Sequence, residues 1–287
     1  MRVKNMAETQ IFFEEWVNSK NKYDERKYTD AILGIVDILG FSQFVKIKND
    51  DSTAPKKIIE IINDSIFINK LGLPENIKYK MLSDTFIVYS DEITVDNVYY
   101  VICALENFRI QLLENGFLCR GALVRNKNYI NNDIIVSEAL IDAYRIESNI
   151  AKYPRIIVDM DIIKIIKPQM DSGKVLDDNK IIIKKCVIKD FDGEYIIMPF
   201  VGIADIAAFL YKDFHYFSYR NDPENEELFI NTMSKFKRGL ESCAERISTR
   251  DCINKLNYFI NSYNKILKDA GQLLNASIKE LYMNNIT

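Results

Sequence analysis

The stretch AILGIVDILGFSQF, residues 31–44, constrains the fold more than any other. Its first eight residues are apolar apart from Asp37 and show no alternation, the mark of a strand buried on both faces. The run stops at a carboxylate, and Gly40 follows within a short turn before Phe41 and Phe44 take up helical spacing. Two readings of Asp37 fit that placement. It caps the helix that begins there, or it is a metal ligand beside a phosphate-binding turn.

Downstream, Ile58, Ile59, Ile61, Ile62, Ile66 and Leu71 fall at helical spacing between Pro55 and Gly72, so a helix is expected there. NIKYKMLSDTFIVYSDE reads as two strands joined at Ser83 and Asp84, a β-hairpin. A long helix is predicted from about Val95 to Leu113, closed by Asn115 and Gly116, after which FLCRGALV resumes strand character. Next come a short strand, a helix through Leu140, Ala143, Tyr144, Ile146 and Glu147, a break at Pro154 and a strand at Arg155 to Val158. KIIIKKCVI and EYIIMPF read as β segments flanking the turn signal Asp192–Gly193. From about residue 203 the sequence reads helical, notably over 225–246 and 250–284. The order β, α, β-hairpin, α, β, α, β is that of an α+β sandwich, antiparallel strands covered by helices on one face. The expected organisation is an N-terminal helical arm over 1–27, amphipathic at 8–19, a sandwich domain over 28–202 and a C-terminal helical extension over 203–287.

Composition narrows the function classes. With 48% apolar and 28% charged residues the chain can build a sizeable core, and 38 basic against 41 acidic residues give nothing that asks for nucleic acid or a lipid surface. No segment approaches the ~20 consecutive apolar residues of a membrane span. The five cysteines lack CxxC spacing, which points to reduced thiols in a cytoplasmic protein rather than a zinc site or disulfide framework. His215 is the sole histidine and sits among Phe214, Tyr216 and Phe217, so a mechanism built on a His base with a His-bound metal is excluded.

In a ferredoxin-like sheet the first strand and the hairpin are central neighbours. Asp37 and Asp84 would then converge at one edge and hold two divalent cations, the palm geometry of phosphoryl and nucleotidyl transfer. Taken singly, Asp37 is as well a cap and Asp84 a turn residue; the pair in this order favours the metal reading. The main-chain N–H groups of Ile38, Leu39, Gly40, Phe41 and Ser42 would meet a triphosphate. Arg145 on its helix and Lys80 on its strand read, by themselves, as solvated side chains.

AILGIVDILGFSQFV resembles the first metal motif of class III nucleotide cyclases, the adenylate and guanylate cyclase family. There an Asp is followed by a hydrophobic residue, any residue, Gly, Phe and Ser or Thr. KYKMLSDTFIVY resembles their second motif, a Lys or its substitute four positions before the second metal Asp at a hairpin. RGALV and SEALIDAYRIES resemble the next strand and the helix that carries a phosphate-binding Arg. The likeness covers roughly residues 30 to 200. Within the family, AYRIESNIAKYPRII and DFDGEYIIMPF are similar to the bacterial pyrimidine cyclases of the Pycsar anti-phage systems, which make cyclic UMP or cyclic CMP.

The resemblance implies that Asp37 and Asp84, with Ile38 beside them, hold two Mg²⁺ or Mn²⁺ ions. It implies that Lys80 reads the base and Arg145 stabilises charge developing on the phosphates. It further implies a homodimer with sites at the subunit interface, a nucleoside triphosphate substrate and no protein nucleophile. Departures are visible: Ile141 stands where adenylate cyclases have an Asn, Ile134 where an acidic base-reading residue falls with Asp133 one position off, and Asn126 where a Gly is usual. KDFDG replaces a Lys-Gly-Lys-Gly hairpin, leaving Lys189 as the remaining phosphate contact. These changes fit a pocket rebuilt for a pyrimidine. The alternatives are an adenylate cyclase, or an inactive cyclase-like module that binds nucleotide and dimerises. A dinucleotide cyclase is disfavoured by the absence of a GG[DE]EF-like turn at Ser83–Asp84.

Overall fold

Strand β1 (Thr29–Ile38) lies inside the sheet, hydrogen-bonded on both sides, in a computed structural model that describes residues 28–46, 56–64, 73–170, 186–199, 223–247, 249–271 and 278–287. Ala31 to Val36 are buried without interruption, as the unbroken apolar run requires. The chain then forms the short helix α1 (Phe41–Lys46), helical residues 56–64 (α2), and the hairpin β2 (Lys78–Leu82) and β3 (Thr85–Ser90). Helix α3 (Val95–Glu114), strands β4 (Cys119–Ile130) and β5 (Ile135–Ser137), and helix α4 (Glu138–Asn149) follow. Strand β6 (Ile156–Val158), helix α5 (Met160–Met170) and the hairpin β7 (Val187–Lys189) and β8 (Tyr195–Ile197) complete the sheet. Helices α6 (Pro223–Glu245) and α7 (Arg250–Gly271) come last.

Among the described residues eight strands make one mixed sheet in the order β2-β3-β1-β4-β6-β8-β7, with β5 paired to β4 off this path. Its β2-β3-β1-β4 portion is antiparallel, an order compatible with a ferredoxin-like sandwich. Two expectations need correction. The sheet is not antiparallel throughout: β6 runs parallel to β4, because the α4 crossover brings the chain back in the same direction. Nor are the helices confined to one face. Val101, Leu105 and Phe108 of α3 and Ile162 and Ile166 of α5 pack with Ile32 and Val36, whereas Ala139, Leu140, Ala143 and Ile146 of α4 pack with Leu33 and Ile35. A strand apolar on both sides needs both covers.

The helix expected over 250–284 is described over Arg250–Gly271, residues 272–277 lie outside the described residues, and the last part of the expected helix is not α-helical. There Lys279–Leu281 form a 3₁₀ turn and residues 282–287 are non-helical. The helix expected at 8–19, His215 and residues 180–185 of KIIIKKCVI lie outside the described residues.

Helix α3 closes as its Asn-Gly pair predicts. Gly116, at φ 75°, donates to Leu113 O at 2.8 Å while Phe117 N–H reaches Leu112 O at 2.8 Å, a Schellman end. Helix α6 packs directly on that end. Gly239 comes so close that an added Cβ would lie 1.9 Å from Leu113 O. Arg246 donates to the Gly116 carbonyl and stands 4.6 Å over the Phe117 ring, a cation at the negative end of a helix.

The far sheet edge is tied to the last helix through Arg155, which is 1% exposed. Its guanidinium pairs with Asp190 and Asp192 of the β7–β8 turn, and Asp190 also accepts from the Tyr258 hydroxyl of α7 at 2.6 Å. The Tyr258 ring stacks on Tyr153 with centroids 4.8 Å apart. Arg155 holds the Asp192 carboxyl below the usual carboxylate range by its hydrogen bond and its charge.

Candidate functional site

Register places the acidic pair. Asp37 is the Cα partner of Thr85 across β1 and β3 and of Arg120 across β1 and β4. Asp84 is the residue before Thr85, and its carbonyl accepts the Ile38 N–H at 3.2 Å. The end of β1 and the hairpin turn are therefore bonded neighbours. Ser83, first of the two turn residues, has φ 57°, a left-handed conformation that costs a non-glycine residue about 1 kcal/mol. Backbone strain of this kind is concentrated at functional sites.

Paired residues of antiparallel strands share a face, and residues two apart along a strand share it too. Asp37, Thr85, Arg120, Leu82 and Lys80 consequently lie on one face, the one that α4 covers over β1 and β4. Asp37 does not cap a helix. It lies within β1, accepts a hydrogen bond from Thr85, and Gly40 is the residue that precedes α1. Gly40 has φ 77°, which is why the turn needs glycine.

The Asp37 carboxyl is pushed up to about 6, first by burial, then by the charges of Glu147 and Asp84, against the opposing pull of Arg120 and Thr85. Glu147 is a buried acid on the inward stripe of α4 and pairs with Arg120. Neither residue figured as functional in the sequence, yet a signal was present: Glu147 falls on the same helical stripe as Leu140 and Ala143, where an apolar residue belongs.

Among the described residues no three His, Cys, Asp or Glu side chains converge as a metal-holding group. Two hard carboxylates suit Mg²⁺ or Mn²⁺ nonetheless, because such ions bind through one or two carboxylates and complete their shells with phosphate oxygens and water. The raised Asp37 acid gives a test with a definite sign. Its contribution to stability is full below the ordinary carboxylate range, is lost as pH rises to about 6, and stays lost above. Cation binding needs the ionised form. Mn²⁺ should thus raise the melting temperature at about pH 7.5 and far less at about pH 5, where the acid keeps its proton. Thermal melts with and without Mn²⁺ at the two pH values check this.

The remaining expected residues are distributed unevenly. The N–H groups of Ile38 and Leu39 are used by the carbonyls of Asp84 and Leu118, at 3.2 and 2.9 Å, so they are not free to meet a triphosphate. Gly40, Phe41 and Ser42 are left as the turn's donors. Lys80 is not simply solvated: its Nζ donates to the carbonyls of Asn131 and Asn132 at 2.6 and 3.0 Å. From strand spacing its Cα lies about 12 Å from that of Asp37, two strands over and two residues along. Arg145 is not gathered with them. It is 68% exposed on the outer side of α4, paired with Asp142 at 2.6 Å and one turn from the exposed Ile141. Lys189 lies over the Tyr195 ring at 5.3 Å.

No helix among the described residues is long and apolar enough to cross a membrane. Compared with known proteins, the chain matches no family model and no curated protein.

Proposed function

We propose that the chain is a nucleotide cyclase of the class III type that converts UTP or CTP to the 3′,5′-cyclic monophosphate and pyrophosphate. The observation that carries this reading is the register that sets Asp37 of β1 beside the Ser83–Asp84 turn that leads into its neighbour β3. Two divalent cations, held by Asp37 and Asp84, would supply charge against the triphosphate and ease ionisation of the ribose 3′-hydroxyl. The 3′-oxygen forms its bond to the α-phosphorus as the bond to pyrophosphate breaks in line, and the hydroxyl proton leaves to water. Gly40, Phe41 and Ser42 offer N–H groups to the phosphates. Lys80, a donor-only ammonium, suits an acceptor on the base once it exchanges a carbonyl partner for it.

Arg145 serves the reaction from a second copy of the chain. Its position on the outer side of α4, with Ile141, Ile134 and Val136 exposed nearby in sequence, supports a homodimer whose sites combine residues of both subunits. An Arg145→Ala variant should lose about 10²-fold or more in kcat with a smaller change in KM, as expected for a group acting on developing charge. Steady-state kinetics decide between that and a purely binding role.

The resemblance to the Pycsar cyclases supports a second-messenger product in anti-phage defence. The reading is tested by incubating the full chain with each of the four ribonucleoside triphosphates and Mn²⁺ and resolving products by chromatography and mass. Cyclic UMP or cyclic CMP is the expected product. Cyclic AMP would make the chain an adenylate cyclase despite Ile134 and Ile141, and no product from any triphosphate would favour an inactive nucleotide-binding module.

A further inference from the structure

Glu147 occupies a helix position made for an apolar side chain. It lies on the inner stripe of α4 with Leu140, Ala143 and Ile146, its side chain only 5% exposed, and one of its carboxylate oxygens meets Arg120 of β4. The other accepts from the Ser148 hydroxyl at 2.8 Å. Stability does not account for the pair. Taking two charges out of water costs about what their attraction returns, so a buried ion pair often adds no more than well-packed apolar residues of the same volume.

The place of the pair supplies a reason. The bond from Leu39 N–H to Leu118 O makes every second pairing of β1 with β4 the hydrogen-bonded kind, Asp37 with Arg120 among them, and Cα atoms so paired are about 5.5 Å apart. Asp37 therefore feels both charges: Glu147 disfavours its ionised form and Arg120 favours it. Arg120 alone would set a fixed positive charge beside the aspartates and compete with a cation for Asp37. Glu147 alone would add a third negative charge to Asp37 and Asp84, which already repel each other. Together the two are neutral, and the aspartates remain as the charges that a cation meets.

We propose that the Arg120–Glu147 pair balances the charge of the Asp37–Asp84 site and so sets its affinity for divalent cations, Arg120 weakening cation binding and Glu147 strengthening it from behind. The proposal rests on the two-cation reading of those aspartates. Both members act through Asp37 and are positioning residues, not cation ligands. Their placement ties cation affinity to the seating of α4, the helix whose outer side carries Arg145.

The test is a Mn²⁺ titration of the full chain at about pH 8, where the aspartates are ionised, with free Mn²⁺ read from its electron paramagnetic resonance signal. Arg120→Gln should bind Mn²⁺ about tenfold more tightly than the native chain and Glu147→Gln about tenfold more weakly, the effect of one unit charge at short range. Arg120→Gln/Glu147→Gln removes both charges and should return to within about threefold of the native affinity. A purely structural salt bridge gives a different pattern, because breaking it from either side disturbs the site alike and both single variants then bind more weakly. Arg125→Gln, which breaks the pair with Asp30 at the opposite end of β1, should leave the affinity at its native value. Single variants that shift the affinity in the same direction, or not at all, overturn the proposal while the two-cation reading stands. A native chain that takes up no Mn²⁺ removes both. Should one single variant fail to melt cooperatively, the other is compared with the double variant, and equal affinities refute the balance.

Discussion

On the cyclase reading proposed above, Asp37→Asn should lower turnover by about 10²-fold or more, the rate equivalent of losing several kcal/mol of charge stabilisation at the triphosphate. The variant keeps the volume of the side chain and removes its charge. It should also melt higher than the native chain without metal at neutral pH, since the half-buried Asp37 carboxylate is disfavoured there by burial, Glu147 and Asp84. Lost activity together with gained stability would separate a chemical role from a folding defect. Asp84→Asn should likewise abolish turnover. Asp30→Asn is the control: that acid sits at the opposite end of β1, pairs with Arg125 at 2.9 Å, and should leave turnover near the native level. Full activity in the Asp37 or Asp84 variant would dismiss the two-cation reading.

The largest expected effect on stability lies far from that site. By helix propensity, Gly239→Ala in the interior of α6 should stabilise the helix by about 1 kcal/mol. By contact it should do the reverse, because a Cβ there would lie 1.9 Å from Leu113 O, a backbone atom already fixed by the end of α3. The contact dominates. Gly239→Val should cost about 3 kcal/mol, at the top of the range for overpacked positions, or a fall of roughly 6–12 °C in Tm for a chain of this size. Gly239→Ala should fall between that value and the native chain. A rise in Tm for the alanine variant would mean that α6 does not seat on α3 as described.

What could be read from the sequence was local. The unbroken apolar run of β1, the Ser-Asp turn of the hairpin and the Asn-Gly end of α3 each carry their own signal within a few residues, and each appears in the structure. The neighbourhood of Asp37 and Asp84 is legible because the order of elements makes the first strand and the hairpin neighbours. The surroundings of Asp37 were not. Arg120 and Glu147 meet only when α4 folds back on β4, and the carbonyls that hold Lys80 come from a turn about fifty residues away. Which N–H groups of the 38–42 turn stay free is not legible for a similar reason: the partners of Ile38 and Leu39 come from the hairpin turn and from the residue before β4. Helix α7 gives no local warning that residues 282–287 lie along it, because the Asn257 and Asn264 side chains that bond Ile286 and Met283 find those partners only in the folded chain.

The Arg155 junction bears on how this chain can be divided. Asp190, Cys186 and Met198 belong by sequence to the sheet, yet Asp190 is held from α7 by Tyr258, and the other two are buried among the residues of α6 and α7. A fragment ended soon after β8 would leave that apolar surface wet and half the Arg155 cluster unheld. Such a fragment is a poor starting point for crystallography. Any transplant of the Asp37–Asp84 site into another scaffold has to carry α6 and α7 along with the sheet.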